Sequence, residues 1–215
     1  MNSHYYPILL DLRGRRCLVI GGGAIATGKV EGLLEAGAWV TVIAPALSPA
    51  LAALVESGRV RHLARAYQPG DLAEAFLAIG ATDDGSANAA VWQEATERSL
   101  LFNAVDDVPH CNFIAPSILR QGDLTVAIST SGKAPALAVR LKERLAPELG
   151  PEYARFLELA GALREGLAAH RPDFDERKAV WYRLVDSDVI DLLRAGDEAA
   201  ARDRIEAITG VRLGD

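Results

Sequence analysis

Three stretches of this chain carry residue types that do chemistry on small ligands. The first is "IGGGAIATGKV", Ile20 to Val30. Gly21, Gly23 and Ala26 reproduce the G-x-G-x-x-A form of the dinucleotide fingerprint. In that pattern the first glycine permits a tight turn and the second lets the backbone approach a pyrophosphate. The small third residue lets the helix pack close to the strand. Gly22, Ala24 and Ile25 complete the turn. The helix opening there directs free N–H groups and a positive dipole end at phosphate. The acid that usually grips the ribose 2′-hydroxyl is missing. The second strand ends Ile43-Ala44-Pro45-Ala46, with no arginine in its place to suggest NADP. Backbone groups around Pro45 and Ala46 are therefore expected to hold the ribose.

The second stretch is in two pieces, "GATDDGSANAAV" and "FNAVDDVPHCNFIAPS". Each follows a strand on the edge where such sheets bind ligands. Thr82 is a candidate cofactor contact, and Asp84 reads as a helix cap. Asn103 is a candidate substrate contact. Asp106 and Asp107 are adjacent and point in different directions, so they are not a paired acid/base set. One of them is a candidate general base beside a nicotinamide. His110 reads as a surface-loop histidine.

The third stretch is "ISTSGKAPALAVRLKERL". It is not a P-loop, because that pattern needs glycine at Ala127 and a hydroxyl at Ala134. Ser129, Thr130, Ser131 and nearby N–H groups form either an anion site for carboxylates or a simple helix cap. No Cys/His/Asp cluster has metal-ligand spacing, so no metal site is expected.

Positioning these residues falls to alternating strands and helices. "RCLVI", "WVTVIAP", "RVRHLA", "AFLAIGAT" and "LFNAV" read as strands, the third of them edge-like, and most are separated by helical runs. That order predicts an α/β fold with a Rossmann-like, mostly parallel sheet. A strand pair around "NFIAPSIL" and "LTVAIS" and then a wholly helical end complete the chain. The expected division is a nucleotide domain over 1–113, a dimerisation segment over 114–150 and a helical domain over 151–215. With 215 residues, half of them hydrophobic, a sizeable core is available. A net charge of -6 argues against sequence-independent nucleic-acid binding. There is no signal-peptide pattern, no apolar run of membrane-spanning length, and no disulfide framework from Cys17 and Cys111. A cytoplasmic protein is expected.

Taken together, these motifs resemble the precorrin-2 dehydrogenase family, which also forms the N-terminal part of siroheme synthases. The match runs from "YYPILLDLRGRRCLVIGGG" through "AIGATDD" to "LFNAVDDVPHCNFIAPSILRQGDLTVAISTSGKAPALAVRLKERL", about two-thirds of the chain. The resemblance implies NAD-dependent oxidation of precorrin-2 to sirohydrochlorin, and in some members insertion of ferrous iron. It implies that Asp106 is the catalytic acid and Asp107 its neighbour. It assigns NAD contacts to Ala24, Ile25, Pro45 and Ala46, which accounts for the missing ribose acid. Where trifunctional relatives carry a regulatory serine, this chain has Thr130. The family is homodimeric, with residues 112–128 as the expected pairing surface. Two other readings stand beside it. One is a non-enzymatic NAD(H)-sensing module. The other is a Rossmann dehydrogenase for a small substrate, for which no Tyr-x-x-x-Lys pair is present.

Overall fold

The computed structural model describes residues 5–213. His4 and the extreme ends of the expected terminal domains lie outside them. The chain divides into two compact units, with the boundary between Ala115 and Pro116.

The first unit holds a five-stranded parallel sheet in the order β3-β2-β1-β4-β5. Its strands are β1 (Arg16–Ile20), β2 (Trp39–Ile43), β3 (Val60–Leu63), β4 (Leu77–Gly80) and β5 (Leu101–Ala104). β3 lies at the edge, as its mixed polarity predicts. Helix α1 (Ala24–Glu35) follows β1, α2 (Pro49–Glu56) follows β2 and α3 (Gly85–Glu97) follows β4. Cys17, Val19, Val40 and Val42 pack on one face with Ala26, Val30 and Leu51. Leu18, Ile20, Ile43, Ala78 and Phe102 pack on the other with Val91 and Ala95. Two buried faces explain why these strands are continuously apolar rather than alternating. Each fully buried valine or leucine contributes roughly 1.5–3 kcal/mol.

The crossover from β3 to β4 is a loop, where a doubly wound sheet usually has a helix. Two carboxylates hold it. Asp71 accepts two bonds from Arg65, at 2.7 Å each, and one from the Gln68 N–H. Glu94, buried on α3, accepts from the Tyr67 hydroxyl, from the Gly70 N–H at 2.7 Å and from Arg98 at 2.8 Å. Burial pushes the Glu94 carboxyl up, and these donors more than offset it, so it titrates below its ordinary range. Beside the loop lies an open groove of about 730 Å³, bordered by Trp39, Thr41, Arg61 and Glu74. No residue of the glycine turn lines it.

The second unit opens with an antiparallel hairpin of β6 (Ser117–Gln121) and β7 (Leu124–Ile128), with Leu119 opposite Val126. β6 starts later than the sequence pattern suggests, because Asn112 is bound to the edge of β5 and Pro116 has no N–H to donate. At the hairpin turn Gly122 has φ +54, and a Cβ there would lie 2.9 Å from the Ala154 Cβ. Helices α4 (Pro135–Leu145), α5 (Pro151–His170), α6 (Phe174–Val185), α7 (Val189–Arg194) and α8 (Glu198–Thr209) follow. Phe156, Leu163, Leu167, Leu184 and Ile205 form their core. Gly196 and Gly210, with φ +79 and +74, follow the ends of α7 and α8, where a left-handed residue stops a helix.

Candidate active site

The turn after β1 is held from two sides by backbone. Gly21 has φ +126, and a Cβ there would lie 2.1 Å from the Ala81 carbonyl oxygen. A Cβ on Gly22 would lie 1.9 Å from that of Ala46. A Cβ on Gly23 would meet nothing within 4 Å. The first two glycines therefore serve packing, while the third faces open space at the helix start. Gly23 is the N-cap of α1, and no side chain caps the helix. Its first-turn N–H groups are thus available to an anion. Ala26 is fully buried against the sheet, and Ile25 is 54% exposed beside the turn. This cradle suits a dinucleotide pyrophosphate. Thr27 and Ser48, whose hydroxyls lie 2.8 Å apart, join α1 to the loop after β2. The Ser48 N–H also donates to the Gly22 carbonyl at 2.7 Å. Ser48 reads from sequence only as the cap of α2, which it also is.

Neighbouring strand ends bring the other candidates to the same edge. Gly21 N–H donates to Ile43, Ala81 N–H to Ile20, and Val105 N–H to Gly80. These bonds align the glycine turn, the Pro45–Ala46 loop, Thr82 and the turn carrying Asp106. The Thr82 hydroxyl accepts from the Asp84 N–H at 3.2 Å, and its carbonyl from the Asn88 amide at 3.0 Å. Asp84 caps α3 through the Ser86 and Ala87 N–H groups. The Ser86 hydroxyl and those N–H groups hold the Asp84 carboxyl below its usual range.

Asp106 follows β5, exposed, with φ +60. Among the described residues only three non-glycines, Ser99, Asp106 and Ser131, have positive φ. Two of the three are candidate site residues, which is where backbone strain concentrates. Asp107 turns away and binds His110 Nδ1 at 2.7 Å. The His110 ring stands edge-on to Trp92, with centroids 5.7 Å apart. Asn103 is buried, and its amide donates to the Phe113 carbonyl at 3.1 Å and reaches the Cys111 sulfur at 3.4 Å. That places Asn103 under the loop, holding it from below.

In the second unit, Ser129 and Thr130 hydroxyls accept from the Ser131 and Ala134 N–H groups, at 3.1 and 3.2 Å. Both therefore bond within the loop before α4, whose N-cap residue Ala134 has no side-chain cap. Ser131 itself has φ +53.

A parallel sheet in this order, with a glycine turn feeding an uncapped helix, defines a dinucleotide-binding protein of the Rossmann class. Residues 8–117 match a family model described as "Putative NAD(P)-binding". Residues 121–146 match one for the sirohaem biosynthesis protein central region, and 152–208 one for the sirohaem synthase dimerisation region. The chain is 41% identical over 205 residues to a siroheme synthase of Photobacterium profundum, covering 95% of this chain and 44% of that one. With a siroheme synthase of Chromobacterium violaceum it shares 39% over 202 residues, covering 94% and 43%. The chain thus spans less than half the length of these relatives. A solved structure titled "SirC, precorrin-2 dehydrogenase" superposes with a TM-score of 0.78 at 27% identity, covering 94% of this chain and all of that one. The chain belongs to the putative NAD(P)-binding family whose model matches residues 8–117, and it is similar along nearly its whole length to siroheme synthases and to that dehydrogenase.

Proposed function

We propose that this chain oxidises precorrin-2 to sirohydrochlorin, a step of siroheme biosynthesis, with NAD⁺ as its cofactor. One observation supports the reading most directly. The exposed Asp106 carboxylate sits in a strained turn on the same strand edge as the open, uncapped start of α1. When bound, the nicotinamide supplies the hydride acceptor. The turn carries the dinucleotide: Gly21, Gly22 and Ala26 pack it closely, Gly23, Ala24 and Ile25 face the ligand, and the backbone of Pro45 and Ala46 holds its ribose. NAD rather than NADP is favoured because residues 44–48 include no cation to pair with a 2′-phosphate. Thr82 borders the same turn. Asp106 accepts the substrate proton or orients the ring. Asn103 supports that loop, while Ser129, Thr130 and Ser131 offer hydroxyl and N–H groups to the substrate's carboxylates.

The working form we propose is a homodimer joined through the second unit. No residue of β6 or β7 is fully buried, although Ile118, Leu119, Leu124, Val126 and Ile128 are apolar. The dimerisation-region match at 152–208 falls in the same unit. Both cysteines are free, which suits the reducing cytoplasm.

The test supplies purified protein with precorrin-2 and NAD⁺ and follows NADH and sirohydrochlorin spectra, with Fe²⁺ added in a second arm. NADH formation is expected, and Asp106→Ala lowers it by about 10²-fold or more with NAD⁺ binding retained. Nucleotide binding without turnover would establish the sensor reading instead. A siroheme spectrum in the second arm would add iron insertion.

A further inference from the structure

We propose that Cys111 is a positioning residue for Asp106, its thiol holding closed the turn that presents the carboxylate. The inference rests on the reading of Asp106 above. The Cys111 sulfur lies 3.2 Å from the Ala104 N–H nitrogen, 3.2 Å from the Ala104 carbonyl oxygen and 3.2 Å from that of Asp107. It lies 3.4 Å from the Asn103 amide nitrogen. Ala104 and Asp107 bracket Val105 and Asp106, so the thiol spans the mouth of the turn. The turn's own closing bond, Asp107 N–H to Ala104 carbonyl, is 3.4 Å and therefore weak. Asp106 at φ +60 sits in the left-handed region, which is costly for an L-residue, less for aspartate than for most, and so benefits from contacts that fix the turn.

The thiol suits this place because it both donates and accepts. Its hydrogen serves the two carbonyls, and its lone pairs face the two N–H donors. Burial pushes its pKa up, keeping the donor hydrogen in place. Asn112 anchors the thiol in turn. Its side chain accepts from the Phe102 N–H at 2.8 Å and donates to the Leu100 carbonyl at 2.6 Å. Its own N–H donates to the Phe102 carbonyl at 3.0 Å. These bonds continue the β5 edge as a strand would, so the 105–112 loop cannot slide along it. The Asp106 carboxylate is left exposed while its backbone is fixed from behind, which is the preorganisation a proton acceptor needs.

A double-mutant cycle with Cys111→Ala and Asp106→Asn tests this by single-turnover NADH formation. Misplacement of one reacting group costs about 10²-fold, and C111A is expected to lower the rate by about that order while NAD⁺ affinity stays within about twofold. C111S, which keeps donor and acceptor, recovers most of the rate. In the D106N background, C111A adds no more than about twofold, because coupled residues are non-additive. Cys111→Val fills the space without hydrogen bonds and repeats the comparison should C111A not fold. A C111A rate within about twofold of the parent overturns the proposal, as does the same penalty in both backgrounds. Full activity of D106N alone would instead remove the Asp106 reading, and this proposal with it.

Discussion

Gly22 and Ala46 approach so closely that a methyl group on Gly22 would lie 1.9 Å from the Ala46 carbonyl oxygen. Backbone on both sides must move to admit it. Gly22→Ala is therefore expected to cost about 2–3 kcal/mol of stability, read as a lowered denaturant midpoint. Gly23→Ala meets no protein atom and costs less than about 1 kcal/mol, as a changed N-cap. If Gly23 faces the pyrophosphate, the same change weakens NAD⁺ binding at least about tenfold. Unchanged affinity in a stable G23A protein would move the phosphates elsewhere.

Strain and chemistry at Asp106 are separable. Glycine accepts φ +60 without penalty, so Asp106→Gly should stabilise the first unit by about 1 kcal/mol while NADH formation falls by about 10²-fold or more. Thermal melts and initial rates of the one variant check both halves. A destabilised D106G would mean that the carboxylate, not the backbone, holds the turn.

Acid should loosen the β3–β4 crossover before the rest of its unit. Glu94 titrates below its ordinary value of 4.5 in the fold, so its ionised form adds stability above that value. The contribution is lost as pH falls below 4.5 and Glu94 protonates. Amide exchange at Gly70, whose N–H donates to Glu94, should lose protection in that range. Glu94→Gln should lack the dependence. A Gly70 amide whose protection did not fall at any acid pH that leaves the rest of the first unit folded would count against Glu94 as the anchor.

The hairpin supplies a test of assembly. Ile118 is 45% exposed on β6. Ile118→Lys places a charge where the proposed dimer would bury it, and light scattering should then report half the parent mass. An unchanged dimer would shift the contact to the helices matched by the dimerisation-region model.

Strand and helix order was legible because short apolar runs and glycine or proline stops recur along the first hundred residues. Ser48, Asp84, Gly196 and Gly210 act at helix ends as their types suggest. The crossover was not legible. Its anchor, Glu94, reads locally as one more acid on a helix, and only the tertiary fold brings Tyr67 and Gly70 to it. The candidate site divides the same way. Asp106 is visible as an acid after a strand, but its φ of +60 leaves no mark in residue type. Cys111 and Asn112 form no periodic pattern, so their hold on the β5 edge appears only when side-chain atoms are placed. At "STS" the Ser129 and Thr130 hydroxyls already bond to N–H groups of their own loop, because hydroxyls serve nearby N–H groups as readily as a ligand.

The edge-on contact between Trp92 and His110 has an optical consequence. The His110 ring is tied to Asp107, the residue beside Asp106, so movement of that loop changes what the indole touches. Of the other two tryptophans, Trp39 borders the open groove and Trp181 packs against the core of the second unit. Trp92 is thus a built-in fluorophore next to the loop that carries Asp106, able to report without any added label if that loop is rearranged.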